Sequence, residues 1–276
     1  MRYNYLVILM LSLVLICCKK EETQAPSQDP PSGPAAGILL KDIVIPHLPS
    51  PYYHFEYNTD GIPSAVSFAS GFYTYNILYS GNKILEMKSN SELNKFTLQY
   101  TYDSSGKVSR IAYLNANGVM YRRVSFTYDG QKLFKAEREV NPGSGFIAEK
   151  SILFLYQADG NLLELVTHHA SIPAAGQTET TYSDRFEEYD DKPDTDGFSL
   201  LHEEFFDHVL LLPGVQFRKN NPLKIIHTGD GINYKIDYTY TYNSKDAPLS
   251  RIGKLLWLNG ADSGKQADLS AFYSYY

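Results

Sequence analysis

The chain of 276 residues has only two cysteines, Cys17 and Cys18, both near its start. The rest is cysteine-free, which excludes a disulfide framework, a thiolate zinc site and a cysteine nucleophile from it. Clustered positive charge is also lacking: 25 Lys and Arg stand against 31 Asp and Glu, a net charge of -6. Phosphate backbones are bound by grouped cations, so this balance argues against a nucleic-acid partner. No Gly-x-Ser-x-Gly elbow, phosphate loop or dinucleotide fingerprint occurs, and Ser144 in "NPGSGF" lies in a turn sequence. Neighbouring carboxylates such as Glu187 and Glu188 define no pair across a cleft, so glycoside hydrolysis has no positive support. Tryptophan is almost missing, with one copy, whereas tyrosine occurs 23 times and phenylalanine 14 times. Aromatic side chains suit pleated, half-buried surfaces, and this composition leans towards sheet.

Arg2 precedes an apolar run from Tyr5 to Ile16, broken only by Ser12. The run is too short to span a bilayer, which takes about 20 residues, and it has the pattern of a secretory signal peptide. The following "LICCKKEE" resembles the lipobox of bacterial lipoproteins, in which a cysteine after a small residue becomes the lipidated N-terminus. Cys18 is the better acceptor, because Cys17 then fills the small-residue position and Leu15 the leucine position. With Cys17 as acceptor, the bulky Ile16 would occupy that small-residue position. The resemblance implies a signal peptide over 1–17, palmitate or similar acyl chains on Cys18, and the outer membrane as location. Several acyl chains make a stable anchor. "KKEE" resembles the tag that precedes surface display in lipoproteins of Bacteroidota; surface-exposed and periplasm-facing positions both stay open. An ordinary cleaved signal with incidental cysteines is the alternative. Residues 18–37 form the lipidated cysteine and a tether with four prolines. Extended at about 3.1 Å per residue, Glu21–Gly37 reaches roughly 50 Å.

Residues 38–276 read as one domain built on a repeat. "FEYNTDGIPSAV", "ILYSGNKILEM", "YTYDSSGKVSRI", "FTYDGQKLFKA", "FLYQADGNLLEL" and "YTYNSKDAPLSRI" share an aromatic or apolar residue, Tyr, a turn and a second strand. The aligned tyrosines are Tyr57, Tyr79, Tyr102, Tyr128, Tyr156 and Tyr242, and the first five are 22 to 28 residues apart. Alternation through Leu98, Tyr100 and Tyr102 puts apolar groups on one face of a strand. Asp103 with Gly106 suits a type I turn closed by a left-handed glycine, and Gly61 and Gly160 hold the same place. Asp129-Gly130 and Gly81-Asn82 suit tighter two-residue turns. Asp246 replaces the glycine in the last copy; Asp tolerates the left-handed conformation better than most residues.

The Tyr-Asp-x-x-Gly pattern resembles the YD repeats of Rhs-type proteins. With "YDDKPDTDG" at 189–197 and "KNNPLKI" at 219–225, the chain also resembles a family of Bacteroidota lipoproteins with a porin-like curled sheet. That resemblance implies an all-β fold: a large antiparallel β-meander curled into a half-barrel or barrel, interrupted by one helical excursion. Phe198, Leu201, Phe205, Val209 and Leu212 have helical spacing, so a helix is expected over about 198–212, plugging or covering the sheet.

The acidic segment carries a candidate calcium site at Asp191, Asp194, Asp196 and Glu203, with Asp190 beside it. Lys192, however, stands where an EF-hand loop has its first ligand, so a solvated turn is the competing reading. "HEEFFDH" is no zinc motif, because His202 and His208 are six apart and fall about 120° off one helical face. Adjacent His168 and His169 point to opposite faces of a strand. The tyrosines suit core packing first and recognition second, and Trp257 is the candidate stacking platform for a ligand. These features favour a non-catalytic envelope lipoprotein, anchored in the membrane and binding a glycan or an envelope protein. An integral outer-membrane barrel, suggested by the aromatic "AFYSYY" end, and an enzyme with a site in the sheet's concavity are the alternatives.

Overall fold

The computed structural model describes residues 38–90, 95–205 and 208–276. The expected signal peptide, Cys18 and the tether lie outside the described residues. The chain forms β1 (Leu40–Val44), β2 (Tyr53–Tyr57), β3 (Pro63–Phe68), β4 (Tyr73–Ser80), β5 (Lys83–Ser89), β6 (Thr97–Tyr102), β7 (Val108–Leu114) and β8 (Met120–Asp129). Then come β9 (Lys132–Val140), β10 (Ile147–Tyr156), β11 (Leu162–His169), β12 (Thr180–Pro193), α1 (Ser199–Phe205), β13 (Asn220–Gly229), β14 (Tyr234–Tyr242), β15 (Pro248–Trp257) and β16 (Gln266–Tyr275). Every strand pairs antiparallel with its chain neighbours, and β1 pairs with β16, with Ile43 opposite Tyr273. The meander is therefore a closed barrel rather than a half-barrel.

One rim is built by the repeat. Gly106 donates its N–H to the Asp103 carbonyl at 3.1 Å, and Asp103 Oδ1 accepts from the N–H groups of Ser105 and Lys107 at 2.9 and 3.0 Å. Gly106 sits at φ +85°, where a side chain would be strained. Asn58, Asn115 and Asn243 organise the same turn through their side-chain oxygens. Asp246 takes φ +60° in place of glycine, as expected. Asp129 itself pairs with Lys132, so Gly130 and Gln131 form that tighter loop.

The repeat tyrosine ties each hairpin to the one before. Tyr57, Tyr79, Tyr102 and Tyr128 donate their hydroxyls to the carbonyls of Leu40, Pro63, Ile84 and Val108 at 2.8 to 2.9 Å. Burial pushes the Tyr79 phenol up to about 12, which keeps it a donor. Lys83, Lys107 and Lys132 lie over the rings of Tyr102, Tyr128 and Tyr156. The Tyr156 hydroxyl has no acceptor among the described residues. Tyr102→Phe should therefore cost about 1 kcal/mol in urea unfolding, whereas Tyr156→Phe should cost nothing measurable.

Alternate residues of β2–β11 face inward and are apolar, among them Phe55, Tyr75, Met87, Leu98, Ile111 and Phe154. The excursion between β12 and β13 packs against them through Leu201, Phe205, Val209, Leu210 and Phe217. The core thus lies between one side of the barrel wall and a segment threaded through the lumen. Helix α1 is shorter than the expected 198–212. Beyond it, Leu211 donates its N–H to the Tyr100 hydroxyl at 3.3 Å, and adjacent Val209 and Leu210 are both fully buried. Non-helical chain lets neighbours point to opposite sides, which suits a segment buried all round.

The two segments flanking the excursion clasp each other at its base. Asn221 donates its N–H to Asp190 Oδ1 at 3.1 Å, while Asn161 Oδ1 accepts from the N–H groups of Lys219 and Asn220 at 2.8 and 3.0 Å. Tyr242 donates its hydroxyl to the Asp190 carboxylate. At the other end, Lys150 reaches the Glu204 carbonyl and Arg138 donates to the Phe205 carbonyl at 3.0 Å. Cations there complement the exposed carbonyls of a helix C-terminus.

The outer wall is charged. Arg123 pairs with Glu139 at 2.6 Å, Lys88 with Glu86 at 2.6 Å, Lys254 with Asp268 at 2.5 Å and Lys224 with Glu188 at 2.5 Å.

Candidate functional site

The inward positions of β12–β16 differ in kind from those of β2–β11. In "YKIDYTYTY" the inward set is Tyr234, Ile236, Tyr238, Tyr240 and Tyr242. Their cross-strand partners include Trp257 opposite Tyr234, Gly253 opposite Tyr238 and Arg251 opposite Tyr240. On this side the excursion does not fill the barrel. Leu269 shares the inward face with Gly253 yet is 38% exposed. Glu203 is exposed, although it belongs to α1, whose other faces are buried in the core. The lumen between α1 and the β12–β16 wall is therefore less filled than that on the β2–β11 side.

Its floor is set by close packing. The Tyr238 ring lies across Gly253, where a Cβ would come within 2.7 Å of a ring carbon. The Arg251 guanidinium sits 5.3 Å from the centroid of the same ring. Arg218 is instead taken by Asp194 at 2.8 Å. At the mouth, Tyr234 stacks on His227 with centroids 4.5 Å apart, and His227 Nδ1 meets Asp184 at 2.8 Å. Tyr182, His227, Asp230, Ile232 and Tyr234 belong to an open cleft of about 670 Å³ at this rim.

Two carboxyl groups here are displaced from their ordinary range. Burial pushes Asp196 up to about 7, against the opposing pull of Arg251. Tyr273 donates to its Oδ2 at 3.4 Å, and its Oδ1 has no partner among the described residues. Glu203 is pushed up by desolvation, with Arg251 and Arg218 countering and Glu204 and Asp184 adding to the rise.

The candidate calcium ligands are not brought together. Asp191 is 87% exposed beside Lys192, Asp194 is paired with Arg218, and Asp196 is buried. Glu203 is exposed on α1. Among the described residues no group of three or more His, Cys, Asp or Glu is placed to hold a metal ion. Asp190, beside this segment, is consumed by the clasp. Trp257 is half-buried on the lumen face at the mouth, across from Tyr234. His168 faces out to Glu179 at 2.9 Å while His169 turns in towards Tyr182, so the pair does split across the strand. His202 and His208 are packed in the core, His208 against the Tyr75 hydroxyl.

The sequence reading did not single out Arg251, Asp184, His227, Tyr234 or Tyr238 as ligand groups. A signal for them existed: Asp184, His227 and Arg251 put polar or charged groups at the inward parity of β12, β13 and β15, where β2–β11 are mostly apolar.

No protein family matches the chain, and no curated protein matches it. Among solved structures it is similar to a porin-like protein from Bacteroides uniformis ATCC 8492, at 13% identity and a TM-score of 0.55, covering 81% of this chain and 89% of that one. It is also similar to a porin-like protein from Bacteroides vulgatus ATCC 8482, at 16% identity and a TM-score of 0.52, covering 86% of this chain and 98% of that one. At such identities the likeness is one of fold.

Proposed function

We propose, from this porin-like fold, that the protein is an envelope barrel held at the outer membrane through Cys18, binding a glycan in its half-open lumen. The observation that carries the reading is the two-sided interior. Apolar side chains and the excursion complete a core on one side, while on the other Tyr238 and Arg251 are only partly buried and Glu203 is exposed. Convergent polar groups among aromatic rings are the makeup of a small-molecule site. The charged outer wall suits a barrel that works in water, since a Lys or Arg at the bilayer midplane costs about 2–4 kcal/mol.

A second reading, an integral outer-membrane barrel, is favoured by the porin-like neighbours and by outward Leu78, Leu85, Phe134, Leu155 and Phe272, all among the exposed large hydrophobics. One experiment separates the two. In bacterial fractions the wild type should sediment with outer membranes, and Cys18→Ala should appear in the soluble fraction without detergent. A Cys18→Ala variant that stays in the membrane after an alkaline carbonate wash would instead establish the integral barrel.

A further inference from the structure

We infer that the open cleft at the β11–β14 rim binds a neutral sugar through a stacked row of rings, centred on His227 and Tyr234. The inference rests on reading the lumen as a glycan site and goes further by assigning the subsite and the polar groups that hold it.

The row is continuous across four neighbouring strands. Between ring centroids, His169 on β11 lies 5.9 Å from Tyr182 on β12, and Tyr182 lies 4.8 Å from His227 on β13. His227 lies 4.5 Å from Tyr234 on β14. All four rings line the cleft of about 670 Å³, a volume within the range of small-ligand sites. His227 and Tyr234 are cross-strand partners whose planes differ by only 1°. Parallel rings this close overlap face to face, so they stand edge-on to the cleft. They offer a ligand their polar tips rather than a flat platform.

Most of those tips are uncommitted. The Tyr234 hydroxyl, His227 Nε2 and both nitrogens of His169 make no hydrogen bond to a described residue. Tyr182 directs its hydroxyl to Glu204 at 3.5 Å and acts as the spacer between the two histidines. Asp184 Oδ1 accepts from His227 Nδ1 at 2.8 Å, which makes Nε2 of the neutral ring an acceptor. Tyr234 can both donate and accept. Burial, with Lys150 and Arg138 nearby, pulls His169 down to about 4, so it is uncharged at neutral pH.

The rest of the lining fits the same chemistry. Thr178 and Thr180 add hydroxyls, and Ile232, 58% exposed, supplies an apolar lip. The described lining residues include no Lys or Arg, and their one carboxylate, Asp230, accepts from the Thr181 N–H at 2.8 Å. An anion therefore finds no cation in the cleft. A sugar hydroxyl can donate to His227 while a neighbouring one accepts from Tyr234.

The test is titration calorimetry of the full-length protein with maltotetraose, cellotetraose, xylotetraose and mannotetraose, and with tetragalacturonate and spermidine as charged comparators. At least one neutral tetrasaccharide should bind, and His227→Phe and Tyr234→Phe should each weaken it roughly tenfold, the scale of one hydrogen bond. Both substitutions keep an aromatic ring in the row. Tyr234→Phe breaks no hydrogen bond to a described residue and should melt at the wild-type temperature, so its loss of affinity reads the cleft alone. A neutral sugar bound equally well by both variants would overturn this subsite and leave the lumen reading standing. Binding of only tetragalacturonate or spermidine would overturn the neutral chemistry. Failure of every probe to bind would remove the subsite and the glycan reading together.

Discussion

Asp196→Asn should stabilise the barrel at pH 8 by up to about 4 kcal/mol and leave it unchanged below pH 4. Asp196 is 5% exposed, and burial lifts its carboxyl to about 7. In the unfolded chain an aspartate titrates near 3.9. Between these values the unfolded state has lost the proton that the native state keeps. The native state therefore binds more protons, and stability falls as pH rises through this window, then levels off above about 7. A shift of roughly three units at about 1.4 kcal/mol each sets the upper bound. Asparagine keeps the shape and cannot ionise, so only the wild-type curve carries this slope. Urea unfolding of both proteins from pH 4 to pH 8 measures the difference directly. A difference that does not change with pH would mean that Arg251 and Arg218 keep Asp196 ionised in the native barrel.

Lys150→Met should destabilise the protein by about 3–5 kcal/mol, the usual cost of breaking a buried ion pair from one side. Lys150 is 4% exposed and reaches both the Glu204 carbonyl and, at 2.8 Å, its carboxylate. Without the ammonium, the Glu204 carboxylate keeps, among the described residues, only Thr167 at 3.1 Å and Tyr182 at 3.5 Å as donors. The double variant Lys150→Met with Glu204→Met should recover most of the loss, because no uncompensated charge then remains. The single variant should also release the C-terminal end of α1, seen as faster amide hydrogen exchange there. Equal instability of the single and double variants would show that the lost carbonyl contact, rather than the stranded carboxylate, sets the cost.

The hairpins were readable because their determinants are local. Asp103 and Gly106 lie within one turn, and Leu98, Tyr100 and Tyr102 show their alternation within one strand. Asp246 could be assigned its left-handed turn from the neighbouring copies alone. Closure was not readable, since β1 has only five residues, lies outside the repeats, and pairs with a strand at the far end of the chain. The helix was placed correctly and drawn too long. Val209 and Leu212 repeat with helical spacing, but Leu210 between them is just as buried, and spacing alone does not show burial on all sides. The inward charges Arg122, Arg138 and Lys150 interrupt otherwise apolar faces. They gain meaning only once the carbonyls and carboxylates inside the barrel are known. The candidate calcium ligands are not grouped, because residues close in sequence, from Asp191 to Asp196, are spread by the strand and the clasp over solvent, an arginine pair and the core.

The seam between β1 and β16 joins residues 232 apart, through Ser274 donating to Asp42 at 2.9 Å. It also governs the order of assembly. Fourteen of the strand pairings outside the excursion join chain neighbours and can form as the chain emerges. The seam waits for the last strand, and until then the curled sheet has two unpaired edges able to recruit another chain. A polypeptide arrested before Gln266 would leave both of these edges open, and the last ten residues of sheet are what remove them.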